Sequence, residues 1–132
     1  MHALIKNHFL LYSLKTRRLQ RYELPGPYKY TFAAFSPSGK QIVMVRKERI
    51  SGEMMSDRIA EIQTSEIAVM NKDGSQFHLL PIAKGIIVNA SFSPDEKKIA
   101  YWIGKTIRKP SSKSLVADFD VREFDLTTGQ DR

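Results

Sequence analysis

The residues that most often carry chemistry are few in this chain and widely spaced. The three histidines, His2, His8 and His78, form no His-x-x-x-His pair. There is no cysteine, so a disulfide framework, a thiolate zinc site and a cysteine nucleophile are all excluded. No Gly-x-Ser-x-Gly elbow for a serine nucleophile occurs, nor a Gly-x-x-x-x-Gly-Lys loop to cradle phosphate. Asp118, Asp120 and Asp125 are the nearest approach to a cation site. They lack the Asp-x-Asp-x-Asp-Gly spacing and closing Glu of a calcium loop, and Asp120 and Asp125 read as residues that flank a strand and serve a turn. No catalytic residue, metal ligand or cofactor is expected.

Charge is the stronger signal. The 132 residues carry 21 Lys and Arg against 14 Asp and Glu, a net +7. The excess is segregated. Lys15, Arg17, Arg18 and Arg21 form one basic cluster, and Lys105, Arg108, Lys109 and Lys113 another, whereas 48–66 and 114–132 are net acidic. Clusters of this kind meet phosphates or acidic proteins. The aromatic residues fall at strand positions rather than between the charges as stacking platforms. The basic surface is therefore read as solvated or protein-facing, in preference to a nucleic-acid groove. Phe9-Leu10-Leu11-Tyr12 is the longest apolar run near the start, shorter than a signal-peptide core or a membrane span, so neither is expected and the compartment stays open.

The elements that must position these side chains come from a repeat. Residues 30–46 align with 87–103 without a gap, at an offset of 57. Ala33/Ala90, Phe35/Phe92, Ser36/Ser93, Pro37/Pro94, Lys40/Lys97 and Ile42/Ile99 are identical. A second segment recurs as EIAVMNKDG (66–74) and DVREFDLTTG (120–129), and a third copy, LYSLKTRR (11–18), lines up with 123–130. Ile86, Val88, Ala90 and Phe92 alternate with Ile87, Asn89 and Ser91, which predicts a strand with period two. Ser-Pro-Ser-Gly suits a type I turn. Ile42-Val43-Met44-Val45 and Ile67-Ala68-Val69-Met70 are apolar at every position, as strands covered on both faces are. One full unit is thus an antiparallel run of four strands, 30–35, 41–47, 66–71 and 77–80. Tyr101 and Trp102 are expected in the core between neighbouring units.

Phe-Ser-Pro-(Ser/Asp)-(Gly/Glu)-Lys-x-Ile, an apolar strand and Ile-x-Val-Met-Asn-x-Asp-Gly together resemble the blade repeat of TolB-type, WD-repeat-like β-propellers. The resemblance implies an all-β fold of antiparallel four-stranded blades: a half-blade at 8–24, a blade at 30–80 and an incomplete blade at 87–132, together a partial propeller over 1–132. Propellers usually close with about 4–8 blades. This chain is accordingly expected to be part of a longer propeller, or to complete one by homo-oligomerising. Three departures stand out: Glu96 replaces the turn Gly, Arg17 the Gly of the first tail, and Phe35 and Phe92 a common Trp.

The resemblance implies a non-enzymatic module that binds proteins or peptides. The alternative is the substrate-gating propeller of a prolyl oligopeptidase-type serine peptidase whose catalytic domain lies elsewhere. Residues 48–64 and 104–118 lengthen the repeat beyond the usual ~40–45 residues and should project from one face. Met54 and Met55, an adaptable apolar pair, with Arg58 on the first insertion and Lys105, Arg108 and Lys109 on the second, are the candidate partner contacts. Residues 50–64 read as a surface loop, with a short amphipathic helix as the alternative.

Overall fold

The computed structural model describes residues 7–26, 28–48, 64–108 and 115–132. No helix occurs among them, so none is long and apolar enough to cross a membrane. Among the described residues, nine strands form three antiparallel sheets. The first sheet is a hairpin of β1 (Asn7–Tyr12) and β2 (Leu19–Leu24). The middle sheet holds β3 (Tyr28–Phe35), β4 (Gln41–Glu48), β5 (Ser65–Asn71) and β6 (His78–Leu79), in that spatial order. The last sheet holds β7 (Ile86–Phe92), β8 (Lys98–Arg108) and β9 (Leu115–Asp125).

The repeat is carried into backbone detail. In the β3–β4 pair the register slips between Tyr30 and Phe32, and in the β7–β8 pair between Ile87 and Asn89. These bulges lie 57 residues apart. The second one breaks the expected alternation: beyond it Ala90 and Phe92 stay buried, but Val88 turns out to solvent and Ile87 turns in. The Ser-Pro turns match as well. Gly39 N–H donates to Ser36 O at 2.8 Å, and Glu96 N–H to Ser93 O at 2.9 Å. Gln41 N–H and Lys98 N–H each return to the hydroxyl that opens the turn, at 3.1 and 3.0 Å.

The tails repeat too. Gly129 N–H donates to Asp125 O and Arg17 N–H to Ser13 O, both at 2.8 Å. The Asp125 carboxylate accepts from Thr128 N–H, as the Ser13 hydroxyl accepts from Thr16 N–H. The departures from glycine noted in the sequence sit where a glycine is favoured. Arg17 has φ 56° and Glu96 φ 60°, against 76° for both Gly129 and Gly39.

Stacking follows from the two-faced strands of the middle sheet. Ile42, Met44, Ala68 and Met70 pack towards the first sheet, against Phe9 and Leu24. Val43, Val45, Ile67 and Val69 pack towards the last sheet, against Ile87, Phe92, Ile99 and Tyr101. Alternate residues of one strand thus serve two cores, which is why no polar residue interrupts these runs. Strand β7 lies against β3, β4 and β5, and Ser65 ties the junction: its N–H donates to Gly85 O, and its hydroxyl accepts from Ile87 N–H.

Two expectations are corrected. Trp102 is not in a core between units: it lies on the outer face of the last sheet and is 50% exposed, while Tyr101, one residue earlier and on the other face, is fully buried. Much of 104–118 is not a separate insertion but a continuation of β8 and β9, paired in register as far as Arg108 with Leu115.

Candidate functional site

The first sheet consists, among the described residues, of the equivalents of β5 and β6 alone. A full unit covers its neighbour with four strands; a hairpin covers only part of it. The uncovered part is the turn end of β3, and there a cleft of about 550 Å³ opens, lined by Leu11, Tyr12, Thr16, Arg18, Gln20, Phe35 and Lys72 among others. Phe35 shows the consequence. Its repeat partner Phe92 is 9% exposed, whereas Phe35 is 47% exposed. The same residue at the same turn is core in one unit and open surface in the other.

The cleft continues past Gln20 and Gly39 to Tyr22, Lys40, Asn71 and Asp73. Its walls are β-hairpin ends, held by their own polar side chains. Ser13 and Asn71 close the two facing loops, and the Asp73 carboxylate accepts from Ser75 N–H at 2.9 Å and from the Ser75 hydroxyl. Those bonds hold the Asp73 carboxyl below the usual carboxylate range, so it is anionic at neutral pH. Arg18, Lys40 and Lys72 surround the apolar floor with positive charge. Aromatic and aliphatic area beside exposed cations fits an acidic segment with an apolar side chain, since burial supplies affinity and charge supplies selection.

The turn of the last sheet buttresses this region. The Glu96 side chain reaches across to the middle sheet and accepts from Ser38 N–H at 3.1 Å and from the Ser38 hydroxyl at 2.7 Å. The hydroxyls of Ser36 and Ser38 hold its carboxyl below the usual range. A glycine at 96 could not make this link between turns.

A second polar group lies inside the first junction. Arg46 is buried, places its guanidinium 3.6 Å from the centroid of the Tyr28 ring, and donates to Glu66 at 3.2 Å and to Tyr30 Oη at 3.3 Å. Tyr30 O–H donates in turn to Pro25 O at 2.9 Å; burial raises its pKa above the ordinary phenol value. At the second junction Tyr101 O–H donates to Asp131, which also accepts from Ala83 N–H at 2.8 Å and pairs with Arg122 at 3.5 Å. Both groups pair polar side chains buried between elements, a structural role, although Arg122 Nε is left without a hydrogen-bond partner.

Of the residues singled out in the sequence, Met54, Met55, Arg58 and Lys109 lie outside the described residues. Lys105 and Arg108 are in β8, opposite Asp118 and Leu115 in the ladder. Arg18 of the first basic cluster does line the cleft. Phe35, Lys40 and Lys72 were not expected as site residues. The signal that bears on them is the half-unit at 8–24, because among the described residues that half-unit covers only part of the unit that follows it. No protein-family model, curated protein or solved structure matches this chain.

Proposed function

We propose that this chain is a non-catalytic binding module of the β-propeller type, which takes an acidic protein or peptide segment into the cleft between its first and middle sheets. The observation that carries the reading is Phe35, half exposed on the floor of an open cleft bordered by Arg18, Lys40 and Lys72. The scaffold presents this surface rigidly, because both junctions are packed with apolar side chains and pinned by buried polar groups.

The test uses fluorescence anisotropy with a labelled short peptide bearing a central Phe flanked by Glu, and a matched peptide in which Lys replaces Glu. The Glu peptide should bind, more weakly as salt rises. Phe35→Ser and the pair Arg18→Glu, Lys72→Glu should each weaken it about tenfold or more. Equal binding of the Lys peptide, or indifference to both sets of substitutions, would reject the cleft as the site.

A further inference from the structure

The two ends of the stack are not alike, and the repeat says what each end accepts. In the middle sheet, Val43, Val45 and Ile67 face the following sheet. The repeat carries them onto Ala100, Trp102 and Val121 of the last sheet. Trp102 and Val121 stand opposite each other in the ladder, on the outer face, and both are half exposed or more. Phe119 extends the same face by lying over Gly104, where a Cβ would come within 2.7 Å of the ring. The last sheet therefore shows to solvent the face that, in the middle sheet, is covered by a following sheet.

The opposite end mirrors this. Ala68 and Met70 of the middle sheet face the preceding sheet. The aligned tails carry them onto Leu10 and Tyr12 of the first sheet, again on the outer face, with Leu19 opposite Tyr12 in the ladder. Leu10, Tyr12 and Leu19 are each more than half exposed. The first sheet thus shows the face that, one unit on, is covered by a preceding sheet. Each open face is the counterpart of one already buried inside the chain, one in the junction of the middle and last sheets and the other in the junction of the first and middle sheets, so the two supply the complementary sides of a further junction of the same kind. Each face also carries a charge, Arg21 opposite Leu10 on the first sheet and Glu123 opposite Ala100 on the last, and these are of opposite sign; exposed clusters of large apolar residues mark association surfaces.

We propose that the outer face of the last sheet docks on the outer face of the first sheet of a second copy of this chain, continuing the stack across the molecular boundary. The contact is head-to-tail, because the two surfaces differ; repeated, it builds a ring where the rotation closes. It extends the in-chain junctions and leaves the cleft at Phe35 between sheets of one chain; Tyr12 borders both surfaces and is left unchanged in the variants below, so the contact is tested separately from peptide binding.

The test uses the full chain, sedimentation velocity and the emission of Trp102, the only tryptophan. Wild-type protein should gain mass with concentration, and its emission should shift to shorter wavelength as Trp102 is covered. Two variants block one face each: Leu10→Glu with Leu19→Glu on the first sheet, and Val121→Glu on the last. Each alone should raise the dissociation constant about tenfold or more. The first variant should also keep the Trp102 emission long at every concentration, although its substitutions are at the other end of the stack. Mixed in equal amounts, the two variants should form a dimer and nothing larger, since each keeps one intact face.

Dimer formation in the mixture also shows that both variants fold. Leu19→Ser and Val121→Ser, with a native far-ultraviolet circular dichroism spectrum, give the same comparison under a milder perturbation. A wild-type chain that stays monomeric throughout, a first-sheet variant that self-associates as wild type does, or a mixture of folded variants that stays monomeric would overturn the proposal.

Discussion

Replacing Asp131 with Ala removes one acceptor that three groups share. Tyr101 O–H, Ala83 N–H and the Arg122 guanidinium all converge on this carboxylate, from β8, from the segment before β7, and from β9. Tyr101 is wholly buried, so its hydroxyl cannot turn to bulk water. A buried donor left without an acceptor costs about 1–3 kcal/mol, and the partly buried Ala83 N–H adds roughly 1 kcal/mol, giving about 2–4 kcal/mol in all. Urea unfolding followed by Trp102 emission in dilute protein measures it. Tyr101→Phe alone should cost only about 1 kcal/mol, and in that background the cost of Asp131→Ala should shrink by the share of the orphaned hydroxyl, about 1–3 kcal/mol.

The same group has an alkaline signature. Burial first, and then the Asp131 hydrogen bond, push the Tyr101 phenol from 10.0 up to about 12. The folded state therefore holds this proton where the unfolded state has released it. The contribution is complete below pH 10 and is lost as pH rises through about 12. Tyr101→Phe should remove that part of the alkaline slope. A cost for Asp131→Ala below about 0.5 kcal/mol, with no coupling to Tyr101, would refute the docking of residues 130–132 against the second junction.

Other substitutions probe the remaining parts of the fold. Arg17→Gly should stabilise by about 0.5–1 kcal/mol in urea unfolding, because it relieves a left-handed backbone at a site whose counterpart is Gly129. Gly129→Ala should destabilise by about 1 kcal/mol through its φ of 76° alone, since an added Cβ meets no atom within 4 Å. Trp102→Ala should cost less than about 2 kcal/mol and Tyr101→Ala about 3 kcal/mol or more, followed by circular dichroism; the reverse order would contradict their placement on opposite faces of β8. The Asp125 carboxyl is held low by the hydroxyl and N–H of Thr127 and by Thr128 N–H, so its contribution is present above the ordinary pKa of 3.8 and is lost as pH falls through the lower folded value. Asp125→Asn should flatten the acid limb of the stability profile.

Much of this architecture is legible in the sequence, for identifiable physical reasons. Ile42 to Val45 and Ile67 to Met70 are apolar at every position because alternate side chains enter two cores. A strand with one face in water would carry a polar residue at every second position. The Ser-Pro turns and the tails at 13–18 and 125–130 announce themselves through residues whose side chains bond their own loops. The bulges at Thr31 and Val88 do not, because β-branched residues there suit an ordinary strand equally well.

The exposure of Trp102 and Phe35 could not be read from local sequence either. Each occupies the position of a core residue, and what decides its burial is whether another sheet lies over it. Strand β7, which carries Phe92, lies against β3, β4 and β5; among the described residues Phe35 has a hairpin in front of it. The link from Glu96 to Ser38 was equally hidden, since it joins residues 58 apart through a side chain that in the sequence is only a departure from glycine.

The face-to-face stacking of successive sheets underlies the end faces and the contact proposed between them, and the turn of the last sheet buttresses the cleft from behind. It is tested most directly through the contact between the two Ser-Pro turns. The chain has no cysteine, so Ser38→Cys with Glu96→Cys places two unique thiols where the structure brings the turns together. In dilute protein, a short bismaleimide should join them within one chain, giving a product of monomer mass whose linked peptides contain residues 38 and 96. Cross-linking that occurs only between chains, or none in a folded protein, would contradict the stack.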